Sequence, residues 1–267
     1  MEPLKLPNSL LKRMEFHSET CEIHGIQKMT YQGQAVCPRC EVEEDTKKLE
    51  RDITEEYYIQ EQKRQYNIFY KQSIVSDQSV LEADIHKLTA QDGEDRKNLN
   101  TAFEVLKAYK KGNVFNLVFQ GVQGVGKSYT SYALLRELNE SRKLSCLYIS
   151  VDEMVRLIKD SFSNKESRYT EQYFVDLCSR VDFLTLDDLG AETGAMDSGK
   201  RASDFIHRVL YGITNARQNK STITTTNLRS EDLYNMYDKK IISRLFRKPK
   251  FIIYKETKDK RINQMPF

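Results

Sequence analysis

From about Tyr70 onward, short β-rich runs alternate with longer stretches of helical periodicity. The runs Phe115–Gln120, Ser145–Ser150, Val181–Asp187, Ser221–Asn227 and Lys250–Tyr254 read as strands, since each is rich in β-branched or aromatic residues and bounded by polar or turn-forming residues. Asp204–Gln218 instead places Phe205, Ile206, Val209, Leu210 and Ile213 on one helical face, as a helix covering a sheet requires. Strands separated by helical stretches predict an α/β fold, a five-stranded parallel sheet between helices. The pattern differs upstream. Residues from Glu41 to about Asn67 contain no Gly or Pro and many charges, which reads as a solvated helix or helical linker. The first forty residues hold too little apolar material for a free-standing core and carry turn-prone pieces such as Tyr31-Gln-Gly-Gln and Cys37-Pro-Arg-Cys. The predicted organisation is a small domain over 1–45, a linker over 46–70 and the α/β domain over 71–267.

Composition constrains this picture only slightly. The 267 residues carry a formal net charge of +3 with 30% charged side chains, so overall charge imposes neither a nucleic-acid nor a membrane partner. No apolar run approaches the roughly 18 residues that span a bilayer, and the N-terminus lacks the apolar core of a secretion signal, which predicts a cytoplasmic protein with no membrane partner. In that compartment five cysteines point to metal ligands or core positions rather than disulfides.

Gly121-Val-Gln-Gly-Val-Gly-Lys-Ser128 fits GxxxxGK followed by Ser, between a predicted strand and a helix beginning near Lys127. Glycines let successive N–H groups curl around phosphates, and the helix N-terminus adds the positive end of its dipole. Gly121, Gly124, Val125, Gly126, Lys127, Ser128 and Tyr129 are therefore the expected ATP-binding residues, with Lys127 reaching the β- and γ-phosphates and the Ser128 hydroxyl ligating Mg²⁺. Val181–Asp188 is an apolar strand ending in two acids. Asp187 is expected to hold Mg²⁺ through water and Asp188 to polarise an attacking water. Such a pair also starts loops or caps helices, and it gains meaning from the phosphate loop. Thr224-Thr-Thr-Asn227 ends the next strand, where Asn227 could orient the water near the γ-phosphate or serve as an ordinary turn residue.

Cys21-x2-His24, twelve residues, then Cys37-x2-Cys40 is the spacing of a tetrahedral Zn²⁺ site with four protein ligands, which leaves no open position and makes the metal structural. Metal binding would then supply folding energy to an apolar-poor segment. His17 lies outside the paired pattern, and Cys146 and Cys178 sit in apolar surroundings that suit small core residues. From Lys239 to Arg261 ten Lys/Arg stand against Glu256 and Asp259, a local net charge of +8. That charge suits nucleic-acid phosphates, an arginine finger presented to a neighbouring subunit, or a solvated basic face.

The order of these parts resembles the DnaC/DnaI family of bacterial and phage replicative-helicase loaders, which are AAA+ ATPases. The matching parts are the Cys/His module, the charged linker, GVQGVGKS, FLTLDDLGAE, TTTN and the late IISRLFRK, and Leu186–Glu192 looks especially like the loaders of Gram-positive bacteria and their phages. The resemblance implies a zinc-bearing N-terminal domain that grips a hexameric DnaB-type helicase, and an AAA+ domain that binds ATP and single-stranded DNA and self-associates. It further implies that Arg244 is an arginine finger and that Arg261 falls near the sensor-2 arginine, with Lys258 and Lys260 as close competitors for that position. Many AAA+ proteins have Asp-Glu where this chain has Asp187-Asp188, and the shorter second acid fits a slowly hydrolysing switch. An IstB-like transposition helper shares the same ATPase motifs but usually begins with a different helical segment. A nucleotide-gated binding module with little hydrolysis is the third reading.

Overall fold

The computed structural model describes residues 16–193 and 201–260. The chain divides into two compact units between Glu61 and Gln62.

In the first unit β1 (Phe16–Thr20), β2 (Gln27–Tyr31) and β3 (Gln34–Val36) form an antiparallel sheet in that order. Tyr31 pairs with Gln34, so Gln32 and Gly33 alone make the turn, both at positive φ (52° and 80°), as a type I′ hairpin demands. These strands are missing from the sequence reading, because nearly all their side chains stay partly or fully exposed and leave no alternation to read. Pro38 then opens α1 (Pro38–Gln72), a helix of 35 residues that extends the predicted linker at both ends. Pro is favoured at a first helical position, where its missing N–H is not needed. Only Ile68 and Phe69, beyond the unit boundary, are buried along this helix.

In the second unit Ile68 and Phe69 enter the core, and the Tyr66 and Tyr70 hydroxyls both donate to Glu140. Its sheet runs β5 (Cys146–Ser150), β6 (Phe183–Asp187), β7 (Ser221–Thr226), β4 (Asn116–Gly121), β8 (Pro249–Tyr254), parallel throughout. Ile74 extends the β5 edge: its N–H donates to Tyr148 O at 2.8 Å and its carbonyl accepts from Ser150 N at 2.8 Å. α2 (Gly93–Lys110) and α3 (Lys127–Asn139) share one core with Leu117, Phe119, Tyr148, Phe183, Ile223 and Ile252. α4 (Val151–Ser163), α5 (Glu171–Arg180), α6 (Asp204–Ala216), α7 (Ser230–Met236) and α8 (Lys239–Leu245) share the other with Leu147, Ile149, Leu184 and Leu186. The α/β expectation holds: β5 and β6 send alternate residues to the two cores, as in a parallel sheet covered on both sides, while β8 at the edge leaves Phe251 and Ile253 exposed. Each strand lies within two residues of its predicted span.

β7 sits at the sheet centre, is buried throughout, and contributes one apolar side chain, Ile223. Buried hydroxyls require partners, and Arg217 supplies several. It is 3% exposed, and all five of its N–H groups are used: Nε to Thr222 Oγ1 (3.1 Å), Nη1 to the carbonyls of Cys178 and Val181 (2.6 and 2.8 Å), and Nη2 to those of Asp182 and Ser221 (3.0 and 2.6 Å). Burial lowers its pKa to about 10, which leaves it charged at neutral pH. These bonds also explain why β6 begins at Phe183 rather than the expected Val181: the preceding carbonyls point at the guanidinium. At the start of β4, Asn116 donates to the carbonyls of Arg244 and Leu245, both at 2.9 Å, and accepts from Thr222 N at 2.9 Å. The end of α8 is thereby fixed to the sheet.

Arg217→Met keeps much of the side-chain volume and strands four carbonyls. It should lower the unfolding free energy by about 3–5 kcal/mol, the range for losing one partner of a buried charged network. Denaturant titration of the full chain checks this, and a loss below about 1 kcal/mol would show that the carbonyls find other donors.

Candidate nucleotide site and metal centre

The phosphate loop begins where β4 ends. Gly121 has φ 153°, and a Cβ there would lie 2.7 Å from both Cβ and O of Tyr254 on the paired strand, so only glycine lets β4 and β8 close together. Gly124 (φ 75°) and Gly126 (φ 95°) hold the left-handed bends of the loop, and Gly126 caps α3. Val125 between them is fully buried and pins the loop to the core. Lys127 is only 4% exposed; its Nζ donates to the carbonyls of Gly121 (2.8 Å) and Val122 (2.7 Å) and to Asn227 Oδ1 (2.7 Å). Asn227, just past β7, is thus brought onto the phosphate-loop lysine.

Asp187 ends β6 and is 3% exposed. The Thr225 hydroxyl donates to Asp187 Oδ1 at 2.6 Å and accepts from Asp188 N at 2.8 Å, which fixes both acids relative to β7. Asp188 has φ 54°, uncommon for a residue with a side chain, and turns toward the loop. Gly190 follows at φ 110°, and its N–H donates to Glu192, a buried carboxyl that also accepts from the Tyr237 hydroxyl. Burial raises the Glu192 pKa.

Gly124, Gly126, Lys127, Ser128, Tyr129, Asp188 and Asn227 line one cleft of about 760 Å³. Asp77, Lys87, Thr89, Gln91 and Lys260 line it too. The stretch from Lys255 to Lys260 folds back over α2. Burial opposes the charge of Glu94, but the N–H groups of Lys255, Glu256 and Thr257 and the Thr257 hydroxyl donate to it and bring its pKa to about 2. Lys260 N then donates to Gly124 O at 3.0 Å, and its Nζ pairs with buried Asp95 at 2.7 Å. Arg261 lies outside the described residues.

Arg244 is placed elsewhere. Its Nη1 donates to Lys240 O (2.8 Å), its Nη2 to Asn215 (3.1 Å), and its guanidinium covers the Tyr211 ring at 4.8 Å. Together with Lys220, Arg247 and Lys248 it borders a smaller cleft, about 190 Å³, beside Val114–Asn116. That is the start of β4, the opposite end of the strand from the phosphate loop.

In the first unit the ligand atoms of Cys21, His24, Cys37 and Cys40 all lie within 4.8 Å of one another. Cys21 Sγ is 3.7 Å from Cys40 Sγ, and His24 Nδ1 is 3.8, 3.7 and 3.3 Å from the sulfurs of Cys21, Cys37 and Cys40. For a tetrahedral zinc with Zn–S of about 2.3 Å and Zn–N of about 2.0–2.1 Å, neighbouring ligand atoms fall roughly 3.5–3.8 Å apart. The donor set therefore fits zinc in both chemistry and size. Local structure sets it up: Gly25 (φ 64°) turns the chain between Cys21 and Ile26, while Cys37 precedes the first turn of α1 and Cys40 lies within it. His24 Nε2 meets Glu43 at 3.1 Å, which directs Nδ1 inward. The backbone N–H of His24 lowers the Cys21 pKa, while burial raises that of Cys40. His17 stands outside the cluster, with Nδ1 accepting from Glu19 N. Cys146 and Cys178 are fully buried in the second unit.

Several residues of both sites were not singled out from the sequence. Glu43 is one acid among many on a charged helix, and Thr225 one threonine in a run of three. Thr225 lies within the Thr224-Thr-Thr-Asn227 run, of which the sequence reading gave a role to Asn227 alone.

No family model matches the chain, and no curated protein matches it. Among solved structures, a DnaC helicase loader superposes over 67% of this chain and 100% of its own, with TM-score 0.56 and 21% identity. DnaI matches over 67% and 95%, with TM-score 0.52 and 24% identity. AMPPCP-bound DnaA from Aquifex aeolicus matches over 66% and 51%, with TM-score 0.51 and 18% identity. Among the described residues no helix is long and apolar enough to cross a membrane. The second unit has the AAA+ fold, in the form shared by DnaC and DnaI.

Proposed function

We propose that the chain is an ATP-dependent loader that binds a DnaB-type replicative helicase and helps place it on single-stranded DNA. The observation that carries the nucleotide part is the convergence of Lys127, Ser128, Asp188 and Asn227 on one cleft, with Asp187 buried beside them. The loader part is supported by the joint presence of this fold and a separate Cys/His unit in one chain.

On this reading the loop N–H groups and Lys127 bind the phosphates of ATP, Lys127 exchanging loop carbonyls for phosphate oxygens. Ser128 and Asp187 would hold Mg²⁺, which supplies charge neutralisation at the β- and γ-phosphates. Asp188 orients the attacking water with Asn227, and its short side chain suits slow turnover. Arg244 acts on the nucleotide of a neighbouring copy, since its place at the start of β4 separates it from the cleft of its own chain. Cys21, His24, Cys37 and Cys40 bind a structural zinc, and the domain they organise grips the helicase. The proposed division is a zinc domain over 1–45, a helical linker over 46–70 and the AAA+ domain over 71–267.

Lys127→Ala should weaken ATP binding on the order of a hundredfold, equivalent to about 2.7 kcal/mol for a charge-assisted contact. Arg244→Ala should keep wild-type affinity and lose turnover. Fluorescent-nucleotide titration and phosphate release measure the two; equal losses of affinity would remove Arg244 from a role in trans. No turnover under any condition, with helicase and single-stranded DNA present, would favour the nucleotide-gated module.

The full chain should carry one zinc ion by elemental analysis. Cys37→Ser should lose the metal and the folded first unit while keeping the nucleotide-induced rise in melting temperature. Retention of the metal by that variant would refute the four-ligand site.

Mixed with the replicative helicase of its host, the full chain should co-elute with the hexamer in an ATP-sensitive manner, and the Cys37→Ser chain should not. Absence of a complex with and without ATP would sink the loader reading.

A further inference from the structure

Beneath Asp187 the core of the second unit contains two hydroxyls that close no hydrogen bond among the described residues. Tyr148 on β5 is 1% exposed, and its hydroxyl is fully buried without a hydrogen-bond partner among the described residues. Thr185 on β6 is fully buried, and its Oγ1 is likewise unpartnered. The sheet register pairs Tyr148 with Thr185 and, two residues on, Ser150 with Asp187. Side chains two apart on a strand share a face. Tyr148, Thr185 and Asp187 therefore share the face that carries α3, and Tyr148 packs edge-on against Tyr132 of α3 at 5.2 Å.

Leaving a hydroxyl buried without a partner is unfavourable, and Phe would fill the Tyr148 position with nearly the same shape. The phenol faces Asp187 and Ser128, and both lie near its hydrogen-bonding reach although neither closes a bond with it. Asp187 Oδ1 is already taken by Thr225. The missing partner is best supplied by something that enters between Ser128 and Asp187, and a hydrated divalent cation brings hydrogen-bonding water to that place.

We propose that Tyr148 is a positioning residue of the magnesium site: its hydroxyl, backed by Thr185, hydrogen-bonds the water that joins Asp187 to the cation. This inference rests on the assignment of Gly121–Ser128 as a Mg²⁺–ATP site. It makes the phenol idle in the free protein and engaged in the loaded one.

The test compares melting temperatures of wild type, Tyr148→Phe and Thr185→Val, free, with a non-hydrolysable ATP analogue in EDTA, and with the analogue across a magnesium titration. Free Tyr148→Phe should melt at or above wild type, since it loses only an unsatisfied group. In EDTA the analogue should stabilise both equally. The magnesium concentration for half-maximal stabilisation should rise about tenfold in Tyr148→Phe, the usual scale for losing a group that orients a metal's ligands, with a smaller rise in Thr185→Val. Superimposable magnesium titrations would overturn the inference, as would a free Tyr148→Phe protein that melts below wild type, because the hydroxyl would then have a partner without metal. A wild-type chain that shows no nucleotide-dependent stabilisation would overturn the ATP reading as well.

Discussion

The second unit is organised by a central strand that is buried without being apolar. β7 lies between β4 and β6, and its threonines need partners that hydrocarbon neighbours cannot give. Thr222 meets Arg217, Thr225 meets Asp187, and the Thr226 hydroxyl donates to Leu189 O at 2.8 Å. The last two bonds tie β7 to β6 and its flank, and Arg217 extends the first to the carbonyls of Val181 and Asp182 before β6, so the position of the two acids follows from satisfying the strand. A valine at 225 would suit the core equally well by volume and would release both Asp187 and Asp188.

The phosphate loop shows the complementary condition. Lys127 is buried among acceptors of its own loop and Asn227, so its charge is compensated before any ligand arrives. A ligand must offer oxygens better than two carbonyls and an amide, and phosphate oxygens meet that requirement. The Lys255–Lys260 stretch, anchored on Glu94 and hydrogen-bonded to Gly124 O, adds a second cation beside the loop.

Legibility in the sequence followed how local each cause is. The strands of the large sheet were visible because they are short runs rich in β-branched and aromatic residues set between helical stretches, and the loop because its glycines and lysine act within eight residues. Cys21, His24, Cys37 and Cys40 were visible from spacing alone. The small antiparallel sheet was not, since its strands bury little. Thr225 and Tyr148 were hidden for a different reason: each matters through a neighbour far away in sequence, 38 residues in the Thr225–Asp187 pair. β6 began two residues late because a buried guanidinium outcompeted β pairing for its first carbonyls.

Asn116 gives the molecule a direction. It binds the last turn of α8 to the first residue of the strand whose other end is Gly121, so the Arg244 segment and the phosphate loop occupy opposite ends of one rigid element. With the proposed roles, every copy is a donor at one end and an acceptor at the other, and copies add head to tail. A closed ring fills every site. An open row of any length ends in a cleft that receives no arginine, leaving one nucleotide in each row that only a new arrival can discharge.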